Sequence, residues 1–177
     1  MTVDQAKSLK TQPDTPQGRR DALLMCLLLD HGLRAGEVAG LEVTAIDLDA
    51  KTLHFYREKV GKVQTHRLTA DTLRAARAWL ETDAHALGPL FRGSRKGGSL
   101  TDASMTRVSI SERVRTLGST IGIENLSAHD CRHYWATRAA SKGTPMQALR
   151  DAGGWSSLAM PNRYIEAQVI SNDGVLL

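Results

Sequence analysis

A mainly helical α+β domain carrying one small antiparallel sheet of two or three strands is the fold class that this sequence predicts. Three observations carry it. Helix start and stop signals recur along most of the chain. Over residues 44–69 the apolar pattern switches to alternation with β-branched residues. No repeat, low-complexity tract or linker-like composition divides the 177 residues. At that length one domain buries ~70% of the surface its unfolded chain would expose.

Taken in order, Thr2 with Gln5 has the form of a capping box, so a short first helix opens there and ends before Pro13. Pro16 suits the first turn of a second helix, where a missing N–H costs nothing. Leu23, Leu24, Leu27 and Leu28 make that helix apolar on nearly every side, which predicts a central position in the core; His31-Gly32 stops it. A short helix follows over 35–41, with Arg34 at its entry. Ile46, Leu48, Leu53, Phe55 and Val63 are the apolar positions of the sheet, with turns at Asp49-Ala50 and over 60–62. Helix resumes from Ala70 to about Thr82 and is broken by Gly88-Pro89. Residues 91–98 read as a basic, glycine-rich loop, and Thr101 as the cap of a helix through Leu117. Ser127 with Asp130 begins the next helix. Pro145 begins another, which stops at Gly153-Gly154, and Ser156 or Ser157 starts a short segment leading to Tyr164.

Composition excludes some classes. Hydrophobic residues at 41% and charged residues at 24% are those of an ordinary globular protein. The longest apolar run, 22–29, falls far short of the ~20 residues that span a bilayer. Residues 1–10, with Asp4, Gln5 and two lysines, do not resemble a signal peptide. Cys26 and Cys131 sit in predicted helices and make no disulfide framework, so a reducing cytoplasm is the expected compartment. A net charge of +4 and a pI near 9.3 permit a nucleic-acid partner without demanding one. Placement says more: Arg57, Lys59, Lys62, Arg67, Arg92, Arg95 and Lys96 all fall in predicted loops. Each of them taken alone reads equally well as solvated surface.

The candidate chemistry concentrates in residues 126–166. His129 and Arg132, three apart, share one face of the predicted helix. Gly153-Gly154-Trp155 and Arg163-Tyr164 follow. An arginine, a histidine, an indole N–H and a phenol are the groups that hold a phosphate and attack it. Upstream, Arg34 stands at a helix start, where a cation is unfavourable against the dipole unless a bound anion explains it. A rival reading is metallohydrolase chemistry through His129 and His133, four apart. It lacks an evident third ligand, and Asp130 is shorter than the Glu that such helices use as base. No metal and no cofactor is therefore expected.

His129-x-x-Arg132, Gly153-Gly154-Trp155 and Arg163-Tyr164, together with Gly32-Leu33-Arg34-Ala35-Gly36-Glu37, closely resemble the motifs of the tyrosine recombinase (phage integrase) family. The resemblance runs from about Thr2 to Glu166. It implies the fold of DNA breaking-rejoining enzymes and a catalytic set of Arg34, Lys59, His129, Arg132, Trp155 and Tyr164. Glu37 is implied as the orienter of Arg34. The family's catalytic lysine lies in a β-hairpin: counting back from Leu68 assigns it to Lys59, counting from Gly61 assigns it to Lys62, and the strand end is the better anchor. Trp155 stands where many members have a second histidine, and it donates without shuttling a proton.

The implied function is that of a site-specific DNA recombinase or integrase catalytic domain, cleaving and rejoining strands without metal through a 3′-phosphotyrosine. A catalytically silent DNA-binding remnant and a relaxing enzyme of the type IB topoisomerase kind are the alternatives. The implied partners are double-stranded DNA at attachment or recombination sites, gripped in part by Lys62, Arg67, Arg92, Arg95 and Lys96, and other recombinase subunits in a tetrameric synapse. A monomer is expected without DNA. Most family members carry an N-terminal core-binding domain; here residues 1–177 read as the catalytic domain alone, so isolated affinity is expected to be weaker than that of a full clamp. The apolar end, Val175-Leu176-Leu177, suits docking on a neighbouring subunit or packing on its own domain.

Overall fold

Gln5 N–H donates to the Thr2 hydroxyl while the Thr2 N–H donates back to the Gln5 side chain, and this reciprocal cap opens α1 (Val3–Lys10). The structure, a computed structural model, describes residues 1–166. The expectation for the apolar chain end falls outside them. The Thr15 hydroxyl caps α2 (Pro16–Asp30), whose residues from Leu23 to Leu29 are all buried, as a helix apolar on every side requires. Around it pack α1, α4 (Ala70–Leu80) and α6 (Ala128–Ser141). Gly32 leaves α2 with φ +63°, and the Trp135 ring fills the space where its Cβ would stand. The chain can then turn into α3 (Ala35–Ala39). No helix is long and apolar enough to cross a membrane among the described residues.

The sheet takes its expected place. Strands β1 (Ile46–Asp47), β2 (Thr52–Arg57) and β3 (Lys62–Arg67) pair antiparallel in that order, with Phe55 opposite Gln64 and Gly61 at φ +62° in the turn. On β2 the inward positions are Leu53, Phe55 and Arg57. Val63 faces out, opposite Tyr56.

Three expectations are corrected. Residues 91–98 are loop only in part, because Arg92–Ser94 forms β4, which pairs with β5 (Leu100–Ser104) as a second sheet, and residues 95–98 form the turn between them. Gly98 at φ +86° closes its turn, and Gly93 lies so close to Thr101 that a Cβ would come within 2.9 Å of the hydroxyl. Thr101 is therefore a strand residue; Thr106 caps the next helix, α5 (Arg107–Thr120). Arg57, expected in a loop, is the last residue of β2 and fully buried. The remaining helices, α7 (Met146–Gly153) and α8 (Ala159–Glu166), pack on each other and on α6.

A buried ion triad locks the second sheet and α5 onto α2. Asp21 accepts from Arg20 Nε and Nη2 at 3.0 and 2.8 Å and from Arg113 Nε at 2.8 Å, while Arg20 Nη1 donates to the Arg92 carbonyl at 2.9 Å. Asp21→Ala strands two guanidinium groups, one of them wholly buried, and is expected to cost about 3–5 kcal/mol. Urea unfolding checks this, and a loss near zero would show that the triad is not buried in solution.

His31 and His66 stack with centroids 5.7 Å apart, His31 Nε2 lying 3.0 Å from the Thr72 hydroxyl and His66 Nε2 shielded from solvent. Burial first, then Lys10 for His31 and His31 itself for His66, pushes each imidazole down to about 4. The unfolded chain, with its histidines near pKa 6.5, then binds more protons, so stability falls as pH drops from about 6.5 towards 4. The protein is expected to be about 3 kcal/mol less stable at pH 5 than at pH 7. A flat ΔG of urea unfolding across that interval would overturn the assignment of both rings as neutral.

Candidate active site

Each predicted residue is held by a local reason. Arg34 precedes α3; its N–H donates to Glu37 Oε2 at 2.8 Å and its Nη1 to Glu37 Oε1 at 2.7 Å, so the carboxylate caps the helix and orients the guanidinium together. Lys59 stands exposed in the single helical turn Glu58–Val60 that joins β2 to β3. Ser127 and Asp130 cap α6 reciprocally, which fixes His129 in its first turn and Arg132 one turn on. Gly154, at φ +60°, ends α7 and throws Trp155 back towards α6.

Arg132 is almost fully buried. Its Nη1 donates to the Gly32 carbonyl at 2.6 Å, its Nη2 donates to the Gly153 carbonyl, and its Cζ lies 4.6 Å over the Trp155 ring. Burial, then the Arg34 and Arg57 charges, push it down to about 9, so it remains a cation at neutral pH. Tyr164 on α8 is buried between Trp155 and His133, with ring centroids at 5.8 and 5.1 Å.

Arg34, Glu37, Lys59, His129, Arg132, Trp155 and Tyr164 all line a single open cleft of about 1310 Å³. Lys62 begins β3 in an exposed position and is not among the cleft residues. Arg67, Arg95 and Lys96 are exposed, also away from the cleft. Arg92 is turned inward: its guanidinium donates to the Thr101 and Asp83 carbonyls, both at 3.1 Å, and to Asp102 at 3.2 Å. Those donors are taken up within the fold, which corrects its reading as a free loop cation.

Arg57 and Arg107 were missed. Arg107, exposed at the start of α5, lines the cleft wall. Arg57 lies beneath it, donating to Glu37 at 3.2 and 3.3 Å and to the Gly153 and Ala152 carbonyls at 3.1 and 3.0 Å. The period of two through Leu53, Phe55 and Arg57 was the signal that placed it inside. Desolvation first, opposed by Glu37, lowers it to about 10. Three guanidinium groups, Arg34, Arg57 and Arg132, thus gather around one carboxylate, Glu37. A site with such an excess of positive charge and an open mouth is built to receive an anion. Among the described residues, no group of three His, Cys, Asp or Glu side chains is close enough to hold a metal ion.

Comparison with known proteins gives a consistent set. The model of the phage integrase family matches residues 1–169. Curated relatives include tyrosine recombinase XerC of Pelobacter propionicus, 28% identical over 93% of this chain and 54% of its own length. Another is the type 1 fimbriae regulatory protein FimB of Escherichia coli K12, 28% identical over 85% of this chain and 76% of its own. The chain spans about half the length of the XerC relatives it matches. Among solved structures, the XerA recombinase superposes with a TM-score of 0.77 at 22% identity, covering 93% of this chain and 59% of XerA. The XerH recombinase bound to palindromic difH after cleavage gives 0.72 at 20% identity, over 95% of this chain and 49% of XerH.

Proposed function

Since the chain belongs to the phage integrase family, we propose that it is the catalytic portion of a site-specific DNA recombinase that cuts and rejoins duplex DNA through a tyrosine. The observation that carries this reading is the convergence of Arg34, Lys59, His129, Arg132, Trp155 and Tyr164 on one cleft with an excess of positive charge. Residues 1–177 act as a single catalytic domain in it.

In the first step the Tyr164 phenolic oxygen bonds to the scissile phosphorus as the bond to the 5′-oxygen breaks, leaving a 3′-phosphotyrosine and a 5′-hydroxyl. The phosphodiester energy is kept in that linkage, so no ATP is consumed. The phenol loses its proton as it attacks, and His129 accepts or positions that proton. Arg34 and Arg132 clamp the two non-bridging oxygens, where such preorganised donors contribute about 3–4 kcal/mol each. The Trp155 indole donates to one of them. Lys59 protonates the departing 5′-oxygen. The 5′-hydroxyl of a partner strand reverses the step and completes the exchange. Lys62, Arg67, Arg95 and Lys96 hold flanking phosphates, and the protein is a monomer until DNA assembles a tetramer.

The test uses a pool of nicked duplex oligonucleotides with a randomised central sequence. After incubation and digestion, mass spectrometry is expected to find the nucleotide adduct on the peptide that contains Tyr164. An adduct on another residue, or no adduct with any duplex in the pool, rejects the reading.

A further inference from the structure

A guanidinium buried as completely as that of Arg57 costs several kcal/mol of desolvation unless its donors are matched. An aliphatic residue there would continue the apolar face of Leu53 and Phe55 at no such cost. The arginine instead spans three elements. Nε donates across the hairpin to Gln64 Oε1 at 2.7 Å, Nη1 to Glu37 and to the Gly153 carbonyl, and Nη2 to the Ala152 carbonyl. Gln64 in turn donates to the Asp151 carbonyl at 2.7 Å. Gly154 leaves room for this fork, since a Cβ there would stand 1.9 Å from Arg57 Cδ.

From this arrangement we infer that Arg57 is a positioning residue. It pins the β2–β3 hairpin to the Gly153-Gly154 turn and thereby fixes where Lys59 presents its proton to the leaving 5′-oxygen. The inference rests on the function proposed above. Lys59 lies two positions beyond Arg57 in a turn whose own closure is the Gly61 N–H to the Arg57 and Glu58 carbonyls. Beyond that turn, the Arg57 and Gln64 side chains tie the hairpin to α7. Arg34 and Arg132 depend on Arg57 less, because Glu37 is also held by the Arg34 N–H and Arg132 also grips the Gly32 carbonyl.

The test separates the lysine's task from the clamp's. A duplex recovered with the wild-type protein from the randomised pool is synthesised twice, with oxygen or with sulfur at the bridging 5′ position. A thiolate is a stable leaving group near neutral pH and needs no acid. Arg57→Met is expected to cleave the oxygen duplex about 10–100-fold more slowly, the size of effect that a misplaced catalytic group produces, and to match the wild type on the sulfur duplex. Equal slowing on both, or none on oxygen, overturns the inference. If Arg57→Met does not fold, Gln64→Leu carries the same split at smaller size, with its thermal midpoint measured alongside; equal rates on the two duplexes relative to wild type are again fatal. The wild-type reaction is the internal control: its failure on every duplex removes the proposed function itself, whereas its success beside an unsplit variant removes only the role of Arg57.

Discussion

Tyr164→Phe is expected to leave the fold intact and to abolish the proposed covalent attachment to DNA. The ring supplies the packing: it fills the space between Trp155 and His133 and joins Ala136, Ala140 and Leu149 in a small apolar cluster. Its hydroxyl makes no hydrogen bond to another side chain or backbone group among the described residues. Removing that one oxygen is therefore expected to shift stability by about 0.5 kcal/mol or less. In the proposed reaction the same oxygen is the whole nucleophile, so the loss of adduct is expected to be complete rather than graded. Denaturing gels of a nicked duplex, read beside a thermal melt and a binding isotherm, separate these effects. Any covalent band from the variant means that another residue attacks.

Arg132→Lys is expected to slow the proposed cleavage about 10²–10³-fold while DNA affinity changes little. The guanidinium works as a fork, already holding the Gly32 and Gly153 carbonyls while it lies over Trp155. A lysine ammonium keeps the charge that attracts the backbone but cannot address two oxygens at fixed separation. The variant also carries a folding cost. Gly153 retains Arg57 as a donor, whereas the Gly32 carbonyl loses the one it had from Arg132, an orphaned buried acceptor worth about 1–3 kcal/mol. Single-turnover rates at saturating DNA, on protein shown to be folded, isolate the chemical defect. A rate within a few-fold of wild type would sink the bidentate clamp.

What could be read in the sequence was what local physics decides. The reciprocal caps at Thr2 with Gln5 and Ser127 with Asp130 announce helix starts through residues three apart, and both formed. The all-apolar α2 followed from Leu23 through Leu29, and the first sheet from alternation at Leu53 and Phe55. The second sheet was illegible because β4 is Arg-Gly-Ser and β5 carries one large apolar residue, Leu100, so no period of two emerges. Thr101 then looked like a cap by composition alone. In the site, Arg34, His129, Arg132, Trp155 and Tyr164 were nameable from motifs, and the shared cleft was not, since it depends on how α3, α6, α7 and α8 meet. Arg57 was misjudged for a physical reason: arginines are seldom fully buried, and it takes the Glu37 carboxylate, the Gln64 side-chain oxygen and the carbonyls of a distant turn to make burial tolerable. That Lys59 lines the cleft and Lys62 does not likewise depends on which side of the hairpin tip faces it.

Cys26 in α2 and Cys131 in α6 are both buried, and desolvation pushes each up to about 12. Thiols so reluctant to ionise are poor nucleophiles towards alkylating reagents. In the native state both should remain unlabelled, so maleimide incorporation clocks the opening of the helical core. Run with and without duplex DNA, that clock measures how far DNA binding rigidifies the domain, without touching a residue of the cleft.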